Sequence, residues 1–270
     1  MGHPFLPEKD KFTAEELEQQ ENSFRQLLDQ LMKKAEECKV VMRVIGSIAF
    51  RIRAPEYVYI EYKNNRYLTD IDFIVYSRDI VRVQDMFFEL GWSENQSVLR
   101  LSGDKRRIFY HPTEDIHSDI FIDKLRFCHP VDFRKRLEID YPTISLIDLM
   151  LEKLQIVEIN RKDLVDMMLL LRKYPLSNQE EPDNINVKYL AKICSKNWGW
   201  WRTATMNLDK LLHFVKEYLE DKEDIQIVTD KINQMKENIA AQPKSLGWKL
   251  RSIFGDKFKW YDEVEEVDRN

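Results

Sequence analysis

Apolar residues recur at helical spacing near the start of the chain. Leu17, Phe24, Leu27, Leu28, Leu31 and Met32 follow the capping-box pattern Thr13-Ala14-Glu15-Glu16, which predicts an amphipathic helix over 14–37. The pattern then changes to a mostly β-branched run over 40–45, broken only by Arg43, and this predicts a strand that stops at Gly46-Ser47. Ile48-Ala49-Phe50 can open a helix there, with the Ser47 hydroxyl as its cap. Over 51–67 the alternation of Val58 and Ile60, four tyrosines (Tyr57, Tyr59, Tyr62, Tyr67) and the pair Asn64-Asn65 predict a hairpin or an extended loop. Residues 70–76 begin in alternation and continue apolar, a strand that would project Asp70 and Asp72 from one face.

A helix over 79–90 is predicted to end at Gly91, and the runs 98–101 and 107–110 on either side of Ser102-Gly103-Asp104 predict a β-hairpin. Residues 117–124 predict a further strand with Asp119, Phe121 and Asp123 on one face. Beyond 145 the chain reads as helical: 145–157 after a Ser145/Asp148 cap, 160–173, and then 189–194, 208–219 and 225–239. The expected fold class is α/β (α+β), a mixed sheet with flanking helices followed by a C-terminal helical domain. The Pro- and acid-rich break at 175–184 divides it into 1–175 and 176–270. Residues 1–12 read as a loose arm and 262–268 as a solvated acidic tail. The Trp198-Gly199-Trp200-Trp201 cluster reads as the core of the helical domain rather than as a base-stacking surface.

Composition changes this picture little. A hydrophobic content of 43% is that of a packed globular protein, and a formal charge of −5 gives no global attraction to nucleic acid or to an anionic membrane. A nucleic-acid contact would need a local basic patch, and 244–259 is the candidate. The three cysteines are widely spaced and odd in number, which argues against a disulfide framework or zinc knuckle. With no signal-like or membrane-spanning stretch, a cytoplasmic location and no membrane partner are expected.

The chemistry centres on acids. Carboxylates at 70 and 72 with a third on a neighbouring strand would make an all-oxygen site suited to Mg²⁺ or Mn²⁺ rather than zinc. A glycine turn at the start of a helix favours phosphate. The Ile45-Gly46-Ser47 turn, the Asp70-Ile71-Asp72 pair and a later strand aspartate resemble the signature of the nucleotidyltransferase superfamily with the DNA polymerase β-like palm. The likeness covers about 38–173 and is nearest to small prokaryotic members, the abortive-infection toxin group and the aminoglycoside adenylyltransferases. Twenty-two residues lie between Ser47 and Asp70, more than in the commonest members, and the predicted hairpin would absorb the excess.

The resemblance implies that Gly46 and Ser47 bind the triphosphate of an NTP, and that Asp70, Asp72 and Asp119 hold the metal. Asp119 would also serve as general base, with Asp123 as the alternative third carboxylate. Lys153, followed by Asp163 and Asp166, resembles the Lys and Lys-Asp helices of the toxin group; Lys153 would reach a phosphate, unless it simply snorkels to solvent. Arg51, Arg53, Arg106 and Arg107 are candidate phosphate contacts or a solvated basic face. The implied activity is transfer of a nucleoside monophosphate to an acceptor hydroxyl on a tRNA end, a protein or a small molecule, with release of pyrophosphate. The alternative is a non-catalytic nucleotide- or partner-binding member, for example in a toxin–antitoxin pair with an antitoxin partner.

Overall fold

The computed structural model describes residues 12–263, which form two compact units: 12–125 with 132–144, and 126–131 with 145–263. The expected arm and most of the acidic tail lie outside the described residues. The first unit is mixed α/β, built on a five-stranded mixed sheet. The break at 175–184 lies inside the second unit, because the helix pair that precedes it packs with the helices that follow.

The first unit opens with α1 (Ala14–Glu37), started by the Thr13/Glu16 capping box and burying Leu17, Phe24, Leu28, Leu31 and Met32. Then come β1 (Met42–Ile45), α2 (Gly46–Arg53), a 3-10 turn at Pro55–Tyr57, α3 (Tyr59–Lys63) and β2 (Asp72–Val75). They are followed by α4 (Ile80–Glu89), β3 (Ser93–Glu94), α5 (Gln96–Ser102), β4 (Arg106–Tyr110) and β5 (His117–Ile122). The strand order is β1-β2-β5-β4-β3. Only the β2/β5 pair is parallel; the others run antiparallel. Phe73, Ile74, Val75, Ile108, Phe109 and Ile120 are fully buried, which explains why β2 reads as a continuous apolar run.

Helix replaces two stretches expected to be extended: part of the hairpin or loop over 51–67, and the first arm, 98–101, of the expected hairpin, whose second arm is β4. Over 51–67 the decisive residue is Arg51, whose buried guanidinium is held by Glu61 and, at 3.0 Å, by Glu21. A helical turn brings Glu61 inward with Ile60; the Val58/Ile60 alternation carried no information about that charge. At 96–102 the Asn95 side chain accepts from the Ser97 and Val98 amides at 3.0 Å and so starts α5, leaving Leu101 exposed to solvent. A four-residue apolar run does not distinguish strand from helix, and the cap decides it.

The second unit contains α6 (Leu146–Leu154), α7 (Arg161–Lys173), α8 (Val187–Lys196), α9 (Trp198–Tyr218), α10 (Lys222–Ala241) and α11 (Leu246–Ser252). Trp198 and Trp200 are buried, as expected of core residues, at the start of α9. Among the described residues no helix is long and apolar enough to cross a membrane.

A buried polar chain crosses this core. Trp260 Nε1 donates to Thr203 Oγ1 at 3.1 Å, and Thr203 Oγ1 lies 2.8 Å from His129 Nε2. The Thr203 hydroxyl has one proton and two lone pairs, so while accepting from Trp260 it can either donate to the ring nitrogen or accept from it, according to the His129 tautomer. Burial disfavours the charged ring and pushes His129 down to about 4. The unfolded chain takes up this proton near the ordinary value of 6.5, so stability should fall as pH drops from 6.5 toward 4, the slope ending once both states are protonated. Denaturant titrations across this range should show His129→Gln losing part of the wild-type slope; parallel slopes in the two chains would contradict this assignment.

Candidate functional site

Sheet register gathers three of the sequence-marked positions. Ile45, the last residue of β1, lies opposite Asp72, the first of β2. Gly46 follows at once with φ +71°, in the left-handed region that glycine occupies without steric cost. A Cβ built on Gly46 would stand 2.8 Å from Asp72 Oδ2, so the absent side chain is what lets the carboxylate approach the turn. Phe73 pairs with Ile120 on the parallel neighbour, and the residues just before them are Asp72 and Asp119. Matched positions on parallel strands project from one face, so these two acids share a sheet surface next to the turn.

The turn differs from expectation in one respect. α2 starts at Gly46 with Ile45 as its N-cap and has no side-chain cap bond, so Ser47 lies buried in the first helical turn and is not the cap. A carboxylate beside the first turn of a helix also interacts favourably with the helix dipole. Asp72 therefore contributes to the turn whether or not anything binds there.

The other two acids are less alike than their sequence pattern. Asp70 precedes the strand, so strand alternation does not set its direction; its Oδ2 lies 3.8 Å from His117 Nε2 on β5. The Ser118 hydroxyl donates to the Ile71 carbonyl at 2.6 Å and fixes the segment between Asp70 and Asp72. Asp123 lies beyond the end of β5 with φ +59°, not two pleats further along it. Its Oδ1 accepts the Ser77 amide at 3.0 Å, and it lines an open pocket of about 460 Å³ with Arg78, Arg134, Lys135 and Glu138. Asp119, rather than Asp123, is the acid in register with Asp72.

Asp119 has a partner that the sequence did not reveal. The Arg106 guanidinium ion-pairs with Asp119 Oδ2 and lies 5.2 Å from the centre of the Phe121 ring. The antiparallel β4/β5 register, Arg106 opposite Phe121 and Ile108 opposite Asp119, puts all of these on one face. Expecting 107–110 to pair with 98–101 hid this contact. The other arginines are internal ties rather than a basic face: Arg107 pairs with Glu94 at 2.5 Å and Arg53 with Asp140 at 3.1 Å.

Lys153 belongs to the second unit and is buried. Its Nζ lies 3.0 Å from both Asp163 Oδ1 and Asp166 Oδ2 and 3.7 Å from Glu152. Asp163 also closes a capping box with Asn160 at the start of α7. The lysine does not snorkel; reaching a phosphate would require it to leave these carboxylates.

No protein-family model matches the chain, and comparison with curated proteins and with solved structures gives no match. The functional reading therefore stands on geometry and sequence motif. Among the described residues no group of three or more His, Cys, Asp or Glu side chains is arranged to hold a metal ion.

The steric claim is directly testable. Gly46→Ala should lower stability by about 1–3 kcal/mol, from the left-handed backbone and the clash with Asp72 together. In an Asp72→Ala background the same substitution should cost less, because the atom it would strike is gone. Urea titrations of the double-mutant cycle measure the difference, and a coupling of zero would refute the close approach.

Proposed function

We propose that the chain is a divalent-cation-dependent nucleotidyltransferase of the DNA polymerase β-like type, which moves a nucleoside monophosphate from an NTP to an acceptor hydroxyl and releases pyrophosphate. The observation that carries this reading is the convergence of a left-handed glycine turn, Asp72 against that turn, and Asp119 in register on the parallel neighbour.

The donor set fits Mg²⁺ or Mn²⁺. Both acids offer hard oxygen ligands, and Mg²⁺ is commonly held by one or two carboxylates with substrate phosphates and water completing its shell. A site completed by the triphosphate is compatible with the lack of a three-ligand protein group among the described residues. When bound, the ion would neutralise charge that develops on the phosphoryl oxygens and the leaving pyrophosphate.

The remaining roles fall to the chain itself. The backbone around Gly46 and Ser47, at the start of α2, would bind phosphate oxygens. Asp72 and Asp119 would hold the ion, Asp70 would assist from its place beside His117, and Asp119 would accept the proton of the attacking hydroxyl. Arg106 occupies Asp119 Oδ2, so either task would use Oδ1 or would follow a shift of the guanidinium toward the triphosphate, which it suits. The acceptor is an RNA end, a protein or a small molecule.

A second reading draws on that same ion pair. With Arg106 already neutralising Asp119, the chain would bind a nucleotide or a partner without catalysis, for example within a toxin–antitoxin pair. Incubation with α-labelled NTPs, Mg²⁺ or Mn²⁺ and cell lysate separates the two. The enzyme reading expects label on an acceptor, falling by about two orders of magnitude or more in Asp72→Ala and Asp119→Ala, the scale at which a preorganised electrostatic contact to a reacting group operates. Nucleotide binding with no transfer to any lysate component favours the second reading.

A further inference from the structure

The end of the second unit carries a surface that neither reading uses. Among the described residues, Leu246, Leu250, Ile253, Phe254 and Phe258 are large apolar side chains exposed within thirteen positions, Leu246 at 80% and Ile253 at 73%. The first four are spaced at 0, 4, 7 and 8, so they form one stripe along α11 and the turn that follows it.

This is not a frayed end. The opposite side of α11 is pinned: the Trp248 ring lies 5.1 Å from Trp201, and the Arg251 guanidinium 4.5 Å from the centre of the Trp198 ring. The Ser245 amide donates to the Ser195 carbonyl at 2.9 Å. Anchored on that face, the helix presents its apolar stripe to solvent.

Charge identifies the occupant. Residues 244–259 hold five basic side chains, Lys244, Lys249, Arg251, Lys257 and Lys259, against the single acid Asp256. Arg251 and Lys244 hydrogen-bond to backbone carbonyls and Lys259 pairs with Glu263, whereas the ammonium groups of Lys249 and Lys257 make no ion pair among the described residues. Lys249 borders the apolar stripe on the helical wheel. An exposed apolar stripe flanked by cations matches an anionic bilayer surface, where side chains enter the acyl boundary and lysines meet lipid phosphates. Nucleic acid would satisfy the cations but not the apolar stripe, and a protein groove would need a complementary shape. The formal charge of −5 for the whole chain dilutes this local excess, which is why composition points away from membranes.

We propose that 244–259 docks the protein peripherally on anionic phospholipid, lying on the bilayer without crossing it. Vesicle flotation of the full chain tests this, using phosphatidylcholine alone and an equimolar mixture with phosphatidylglycerol. The chain should float with the anionic vesicles, lose that association at high NaCl, and bind phosphatidylcholine weakly. Leu250→Glu/Phe254→Glu and Lys249→Glu/Lys257→Glu change exposed positions only, and each should lower the bound fraction about tenfold or more. Failure of the wild-type chain to float, equal binding to both vesicle types, or binding unchanged in Leu250→Glu/Phe254→Glu would overturn the proposal. So would self-association abolished by that same pair of substitutions without vesicle binding, which would assign the stripe to a protein contact.

Discussion

A missing side chain sets the geometry of the candidate site. At Gly46 the backbone turns left-handed between β1 and α2, and the space a Cβ would fill is taken by the Asp72 carboxylate. Any other residue would strain the turn and push the acid away. The rest follows by register: β1 aligns Ile45 with Asp72, and the parallel β2/β5 pair puts Asp119 beside it. The site thus inherits its placement from ladder hydrogen bonds rather than from a dedicated cluster of ligands.

Several charged side chains of this protein are turned inward. Arg51 sits between Glu21 and Glu61, Arg107 is held by Glu94, and Lys153 is ringed by Glu152, Asp163 and Asp166. Such buried clusters add little net stability but penalise any arrangement that separates the partners, and so they favour one packing of their helices. The Arg106–Asp119 pair follows the same habit at the one place where an anionic ligand would compete for the cation.

The sequence revealed the long-period features: α1 with its capping box, the strands around Val44 and Ile74, and the helical second half. It also marked the glycine turn and Asp72, because glycine and strand aspartates are informative where they occur; Asp70, expected on the same strand face, precedes β2. It misread 51–67 and 98–101, where one buried charge or one capping asparagine outweighs a short apolar pattern. Arg106 stayed hidden because its partner depends on which strand lies beside β4, a long-range fact that no local spacing encodes. The exposed stripe of α11 was equally illegible, since Leu250 and Trp248 are both large side chains with apolar surface to bury and only the fold separates their faces.

The central claim is that the Gly46 turn, Asp72 and Asp119 form one ligand site. A crystal structure of the chain grown with Mn²⁺ and a non-hydrolysable nucleoside triphosphate tests it most directly, through the anomalous signal of the metal. The account predicts a manganese peak at the Asp72 and Asp119 carboxylates, and phosphate oxygens against the Gly46–Ser47 backbone. Manganese and nucleotide bound elsewhere would contradict it.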